Sequence, residues 1–204
     1  MGRGELWARF AGMSVMDTDT VEIGLVGESD IGDITGLLNH EIAHGFAHFG
    51  SVPEREETIR GLWKSHHETH AWLVARDGEG RFLGFAKSAP WSARGAYSWC
   101  VEVSIYIAPG AQRMGLGKRL YGRLFEILGA QGYVTVIAGA SVPNEGSDRL
   151  HKAMGMRVIG EHESIGYKFG RWYGVRYYQG FLRAKGSEPG VVVSVEKALG
   201  SLEK

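Results

Sequence analysis

The chain has 204 residues, a one-domain length long enough to bury a core, and its 23 Lys plus Arg balance 23 Asp plus Glu, so no overall field favours nucleic acid or anionic lipid. A lone cysteine, Cys100, excludes an intrachain disulfide framework and a four-cysteine zinc site, and it suits a reducing, cytoplasmic compartment. No apolar run approaches the ~18–20 residues of a membrane span, and Arg3, Glu5 and Arg9 interrupt the start where a signal peptide's apolar stretch would lie.

Residues 1–19 lack a clear period and are set aside as an N-terminal extension, with Met13 and Met16 as alternative starts. Thr20 to Val26 reads as a first strand. Ile31, Ile34, Leu37, Leu38 and Ile42 then recur at helical spacing behind a Ser29/Asp30 cap. Ser51 with Glu54 forms a capping-box pattern ahead of Ile59, Leu62 and Trp63, which predicts a second helix running to about His70, after a loop from Gly45 to Gly50. Ala71 to Arg76 and Arg81 to Ala89 flank Asp77-Gly78-Glu79-Gly80, a glycine-containing hairpin turn. Trp99 to Ile107 alternates, with Trp99, Val101, Val103, Ile105 and Ile107 on one face and Cys100, Glu102, Ser104 and Tyr106 on the other. One face is core, and the other carries groups capable of chemistry. A helix is expected from about Arg113, a strand over Tyr133 to Ala140, a helix over Asn144 to Ala153, and two strands between Met156 and Leu182. The order predicts one α/β domain over 20–182, a mixed and mostly antiparallel sheet flanked by helices, with 183–204 as a C-terminal tail.

Glycine is the compositional outlier, at 31 residues against 5 prolines, and the excess points to turns and close backbone approach. Gln112-Arg113-Met114-Gly115-Leu116-Gly117-Lys118 lies between a strand and a helix, where free N–H groups and the helix dipole can hold an anion. It is not a P-loop, because Leu116 stands where that motif needs Lys, and it lacks the third glycine of a dinucleotide fingerprint. A plain glycine turn is the simpler alternative.

The order of elements around that segment resembles the acetyl-CoA site of the GNAT acyltransferase superfamily. The resemblance narrows along the chain: Pro90-Trp91-Ser92-Ala93-Arg94-Gly95-Ala96-Tyr97, Val101 to Ile107, Pro143-Asn144-Glu145, Leu150-His151 with Gly155, and Lys168-Phe169-Gly170-Arg171-Trp172 look like the phosphinothricin N-acetyltransferase family. The matches run from about Val21 to Leu182. The resemblance implies transfer of acetyl from acetyl-CoA to the α-amino group of a small amino acid, of the phosphinothricin, methionine sulfone or methionine sulfoximine type. Direct attack in a ternary complex and a homodimer are implied with it.

Residue by residue, the resemblance implies a cofactor site built from Ile105, Tyr106 and Ile107 beside the pantetheine arm. Arg113, Met114, Gly115, Leu116, Gly117 and Lys118 would lie at the pyrophosphate, and Asn144 on the arm. Glu102 matches the family's general base, since an acceptor ammonium must lose a proton before it attacks a thioester. His151 matches the second catalytic position, to relay that proton or to protonate the departing thiolate. The plain alternatives are a strand carboxylate paired with a neighbouring cation and a solvated helix histidine. Arg94 would clamp the acceptor's carboxylate. Phe49, Tyr97, Tyr106 and Lys168 would line the acceptor pocket, although core packing explains the aromatics equally well. The loop Gly45-Phe46-Ala47-His48-Phe49-Gly50 departs from the family's Thr/Asn-rich pattern.

His40-Glu41-Ile42-Ala43-His44 is a literal H-E-x-x-H at the end of a predicted helix, which makes a zinc metallopeptidase the rival reading. Its extended form is missing, because His48 falls two residues short of the third histidine. No metal is expected on balance. Cys100 lies mid-strand without an activating pattern, and a catalytically silent CoA-binding module is the third alternative.

Overall fold

The computed structural model describes residues 20–184, 186 and 188–203, so the N-terminal extension lies outside the described residues. Seven strands form one sheet in the order β1-β2-β3-β4-β5-β7-β6. They are β1 (Glu22–Leu25), β2 (Trp72–Arg76), β3 (Phe82–Pro90), β4 (Cys100–Ile107), β5 (Thr135–Val142), β6 (Arg157–Lys168) and β7 (Arg171–Phe181). Every neighbouring pair is antiparallel except β4 and β5. The helices are α1 (Ile31–His44), α2 (Glu56–His66), α3 (Leu116–Gln131), α4 (Glu145–Ala153) and α5 (Val195–Leu202). This is the single mixed α/β domain that the pattern predicts.

Alternation along the strands divides the core into two layers. On one face Leu73, Ala75, Leu83, Val101, Val103, Val136, Ala138 and Tyr178 pack with Leu116, Leu120, Tyr121, Leu124, Ile127 and Leu128 of α3. On the other, Trp72, Val74, Phe82 and Phe85 meet Ile31, Ile34, Leu37 and Leu38 of α1 and Ile59 of α2. Arg76 pins the start of α1 to the sheet through Asp30 and Asp33. No helix among the described residues is long and apolar enough to cross a membrane.

Three local expectations are corrected. The Ser51/Glu54 capping box does not form, because the Asn39 side chain accepts from Glu54 N–H at 2.7 Å and donates to Glu54 C=O at 3.0 Å. That clamp keeps the segment extended, and α2 starts at Glu56 behind Arg55, with no side-chain cap, and ends at His66. The helix expected from Arg113 starts at Leu116, since Arg113 (φ 65°) and Gly115 (φ 77°) are left-handed and cannot continue a right-handed turn. The segment read as a tail is part of the core: Val195 and Ala198 are buried, Val195 N–H donates to Glu68 C=O, and Gln131 Nε2 bridges Thr69 and Val193 carbonyls.

Candidate active site

The parallel pair β4–β5 is short. Cys100, Val101 and Glu102 pair with Thr135, Val136 and Ile137, and beyond that point β4 and β5 no longer pair with each other, while β4 keeps its ladder with β3 to Ile107 and β5 its ladder with β7 to Val142. The β5-facing backbone groups of residues 103–107 are therefore open to a ligand that pairs like a strand. Ile105, Tyr106 and Ile107 all lie on that edge. The turn after β4 leads into the N-terminus of α3, where Gly115 lacks a capping side chain and accepts only from Lys118 and Arg119. Within the first turn the N–H groups of Leu116 and Gly117 have no partner in the helix and can face an anion, Arg113 and Lys118 are exposed beside them, and open space surrounds the Cα of Gly115. An open strand edge ending at a basic helix N-terminus fits a pantetheine arm followed by a pyrophosphate.

The glycines there do different work. Gly115 takes the left-handed turn, whereas a Cβ on Gly117 would stand 3.0 Å from Leu150 Cδ2 and 3.8 Å from Ile105 Cδ1. The bare Cα of Gly117 thus lets α3 pack against α4 and β4, a packing role in addition to the one expected of its backbone N–H at the pyrophosphate. Met114 is half-buried, and Leu116 belongs to the core and anchors the turn. Asn144 Oδ1 caps α4 by accepting from Ser147 N–H at 3.0 Å, which commits that oxygen to the helix and leaves the side-chain amide donors for a ligand.

Glu102 occupies the last β4–β5 pair before the strands part. Its side chain is half-buried on the α1/α2 face, together with Ser104, Tyr106 and, from β3, Lys87. Burial raises the carboxyl above its ordinary range, and the Lys87 ammonium pulls it back. Burial likewise pushes Tyr106 up to about 12, with Glu41 and Glu102 adding to the effect. Cys100 is pushed up to about 11 by burial, so at neutral pH it is a thiol and not a nucleophilic thiolate. Lys87 was not singled out by the sequence. Its period-2 position in β3 opposite Ser104 was the available signal, legible once the β3–β4 register is known.

His151 is not the solvated helix histidine of the alternative reading, since it is 3% exposed. Its Nδ1–H donates to Ser147 C=O at 2.7 Å, which leaves Nε2 to accept from Tyr121 O–H at 3.4 Å. The ring stacks on Tyr178 at 4.5 Å, and burial holds its pKa below the ordinary value, so it is neutral at pH 7. Both nitrogens are engaged inside the α3–α4 junction.

The acceptor-side residues fall into two groups. Lys168 donates to three carbonyls, Glu41 at 3.1 Å, Gly45 at 2.8 Å and His48 at 2.6 Å. An ammonium has three donors, so Lys168 is spent on holding the end of α1 and the 45–50 loop, a correction to its expected place at the acceptor. Phe49 lies against Gly166 and 6.2 Å from the ring of Tyr173, while Phe46 stacks on Tyr173 at 5.6 Å. Arg94 and Tyr97 are exposed on the loop between β3 and β4, whose Trp91 meets Tyr177 edge-on. A cavity of 530 Å³ opens elsewhere, at the C-terminal end of β5, between Asn144, Asp148, Glu163 and Arg176. Its carboxylates Asp148 and Glu161 already accept from Arg176, and it does not include Glu102.

The H-E-x-x-H pair does share a helix face, with His40 and His44 rings 4.9 Å apart. The Glu41 carboxylate, however, folds over Gly45 beside the Lys168 ammonium. Among the described residues no three His, Cys, Asp or Glu side chains converge as metal ligands. Nothing supports the metallopeptidase.

Residues 39–156 match the acetyltransferase (GNAT) family model. The chain belongs to the GNAT acetyltransferase family. This acetyltransferase is 38% identical over 155 residues to the phosphinothricin N-acetyltransferase of Streptomyces coelicolor, covering 74% of this chain and 91% of that protein. It is 35% identical over 159 residues to that of Streptomyces viridochromogenes, covering 78% and 86%. A GNAT superfamily phosphinothricin acetyltransferase from Sinorhizobium meliloti, solved in complex with acetyl-CoA, superposes with a TM-score of 0.80 at 28% identity over 85% of this chain and 95% of that one. As a GNAT N-acetyltransferase it draws its acetyl group from acetyl-CoA.

Proposed function

We propose that this acetyltransferase acetylates the α-amino group of a small amino acid, of the phosphinothricin, methionine sulfone or methionine sulfoximine type. The reaction is direct attack by the amine in a ternary complex. The observation that carries the reading is Glu102, a half-buried carboxylate at the parting of β4 and β5, on the α1/α2 face of the sheet beside Tyr106. Acetyl-CoA supplies the acetyl group as a thioester, on the open edge of residues 105–107 and the α3 N-terminus. Glu102 takes the proton of the acceptor ammonium, directly or through water, and so frees the lone pair to attack the thioester carbonyl; the carbon–sulfur bond then breaks, and the proton still on the attacking nitrogen passes to the departing CoA thiolate, giving the amide and CoA. Tyr106 and Phe49 wall the acceptor, with Arg94 and Tyr97 at its rim. His151 acts from within α4, which Asn144 caps. The names of the Streptomyces relatives support phosphinothricin as an acceptor, and the name of a Salmonella typhimurium relative, 26% identical over 157 residues, supports methionine sulfoximine and methionine sulfone.

A homodimer in the cytoplasm belongs to the same proposal. The β6–β7 hairpin carries Ile165, Tyr167, Phe169 and Trp172 at 53–63% exposure, an apolar ribbon of the kind a second copy would cover.

The deciding experiment follows thiol release from acetyl-CoA with a panel of amino acids and simple amines. Preference for phosphinothricin or methionine sulfone over amines lacking a carboxylate is the expected result. Equal turnover of amino acids and plain amines would replace this reading with a general amine acetyltransferase.

A further inference from the structure

Beside Glu102 stands a cation that no protein group neutralises by contact. Lys87 lies opposite Ser104 in the β3–β4 register, which makes it the diagonal neighbour of Glu102 on the same sheet face, roughly 7–8 Å away between backbones. Its Nζ rests 4.6 Å above the indole of Trp72. Among the described residues no hydrogen-bond acceptor and no carboxylate within ion-pair distance meets it. Burial presses this ammonium toward its neutral form, and the charges facing it are Glu102 and Glu54, with His48 also in range. His48 is itself held down by burial and by Lys168, which leaves one cation flanked by two carboxylates.

A desolvated ammonium on an aromatic face, on the same sheet face as Glu102 and short of a hydrogen-bond acceptor, is half of a binding site. Glu102 and Glu54 form the other half. An α-amino acid is a zwitterion whose ammonium and carboxylate sit one carbon apart, and this arrangement is its charge complement. The ammonium goes to the Glu102 side, where its proton must leave, and the carboxylate goes to Lys87. Arg94, by contrast, is an exposed loop residue, so a carboxylate held there would gain little over water.

We propose that Lys87, resting on Trp72 beside Glu102, is the specificity-determining anchor for the acceptor's carboxylate, an inference that rests on the amino-acid acceptor proposed above. It makes the site select amines that bring their own anion next to the reacting nitrogen.

Methionine sulfone is a suitable probe, because its side chain is neutral and its decarboxylated amine differs only in the anion. Lys87→Met keeps the length and apolar stem of the side chain while removing the charge. It should raise KM for methionine sulfone by roughly 10–100-fold more than for the decarboxylated amine, while the upward shift of Glu102 on losing its neighbouring ammonium slows both acceptors alike and moves the acidic limb of kcat/KM to higher pH. Unaltered acetyl-CoA affinity by calorimetry reports an intact fold, and Lys87→Arg should restore much of the preference. If Lys87→Met keeps the wild-type preference for the amino acid, or if Arg94→Ala abolishes it instead, the anchor is not Lys87 while the amino-acid acceptor stands. Wild-type enzyme that acetylates plain amines as well as amino acids overturns both.

Discussion

Replacing Glu102 with Gln keeps the shape of the side chain and removes its basicity, so the change isolates proton transfer from packing. Two opposing contributions set the starting point: burial disfavours the carboxylate and raises Glu102 above its ordinary value, and the Lys87 ammonium opposes that rise. A positioned general base contributes about 10²–10⁴-fold, and kcat of Glu102→Gln should fall by that order. The acetyl-CoA site is built from residues 105–107 and the α3 N-terminus, so donor affinity should be unchanged. The assay is steady-state thiol release across pH, with calorimetric titration of CoA as the control. In the wild-type enzyme kcat/KM should rise with pH as Glu102 loses its proton, and this limb should vanish in Glu102→Gln. An acceptor amine losing its own proton produces a similar rise. Acceptors of different amine pKa separate the two, because a limb belonging to Glu102 stays in place when the acceptor changes. Near-wild-type kcat in Glu102→Gln, with chemistry shown to be rate-limiting, would refute the general-base assignment and leave Glu102 as a structural partner of Lys87.

Other outcomes follow from the same geometry. Gly117→Val should destabilise the α3–α4 contact at Leu150 by about 1–3 kcal/mol of overpacking, seen as a lower urea midpoint as well as weaker CoA binding. Gly115→Ala should meet no neighbour and incur only the left-handed backbone cost of about 1–2 kcal/mol. Lys168→Met should leave the carbonyls of Glu41, Gly45 and His48 without their donor, lowering stability by about 1–3 kcal/mol and raising acceptor KM while CoA affinity holds. His151→Ala opens a cavity between Tyr121 and Tyr178 and should lower stability by about 2–4 kcal/mol in denaturant titration; unchanged stability would contradict its burial.

Several features were legible in the sequence because they rest on local periodicity and backbone chemistry. The alternation from Val101 to Ile107 set Glu102 and Tyr106 apart from the core face, and the Asp77-Gly78-Glu79-Gly80 turn joined β2 to β3. The glycine turn before Leu116 announced a helix N-terminus able to hold an anion. The order of motifs was specific enough to point to the family. What the sequence could not supply is which side chains meet across the sheet and whether a polar group is already spent. Lys168 looked like a pocket cation until three carbonyls claimed its donors, and the sequence left His151 between a catalytic group and a solvated helix histidine until α3 and β7 closed over it. Lys87 drew no attention as one lysine in a β-strand, because only the β3–β4 register makes it the diagonal neighbour of Glu102. The C-terminal residues read as a tail because Val195 and Ala198 have no apolar partner nearby in sequence; their partners are on α3. Helix and strand formation depends on neighbours in the chain, whereas charge pairing, burial and donor satisfaction depend on residues more than a hundred positions apart, as between Lys168 and Glu41. Only the folded chain brings those together.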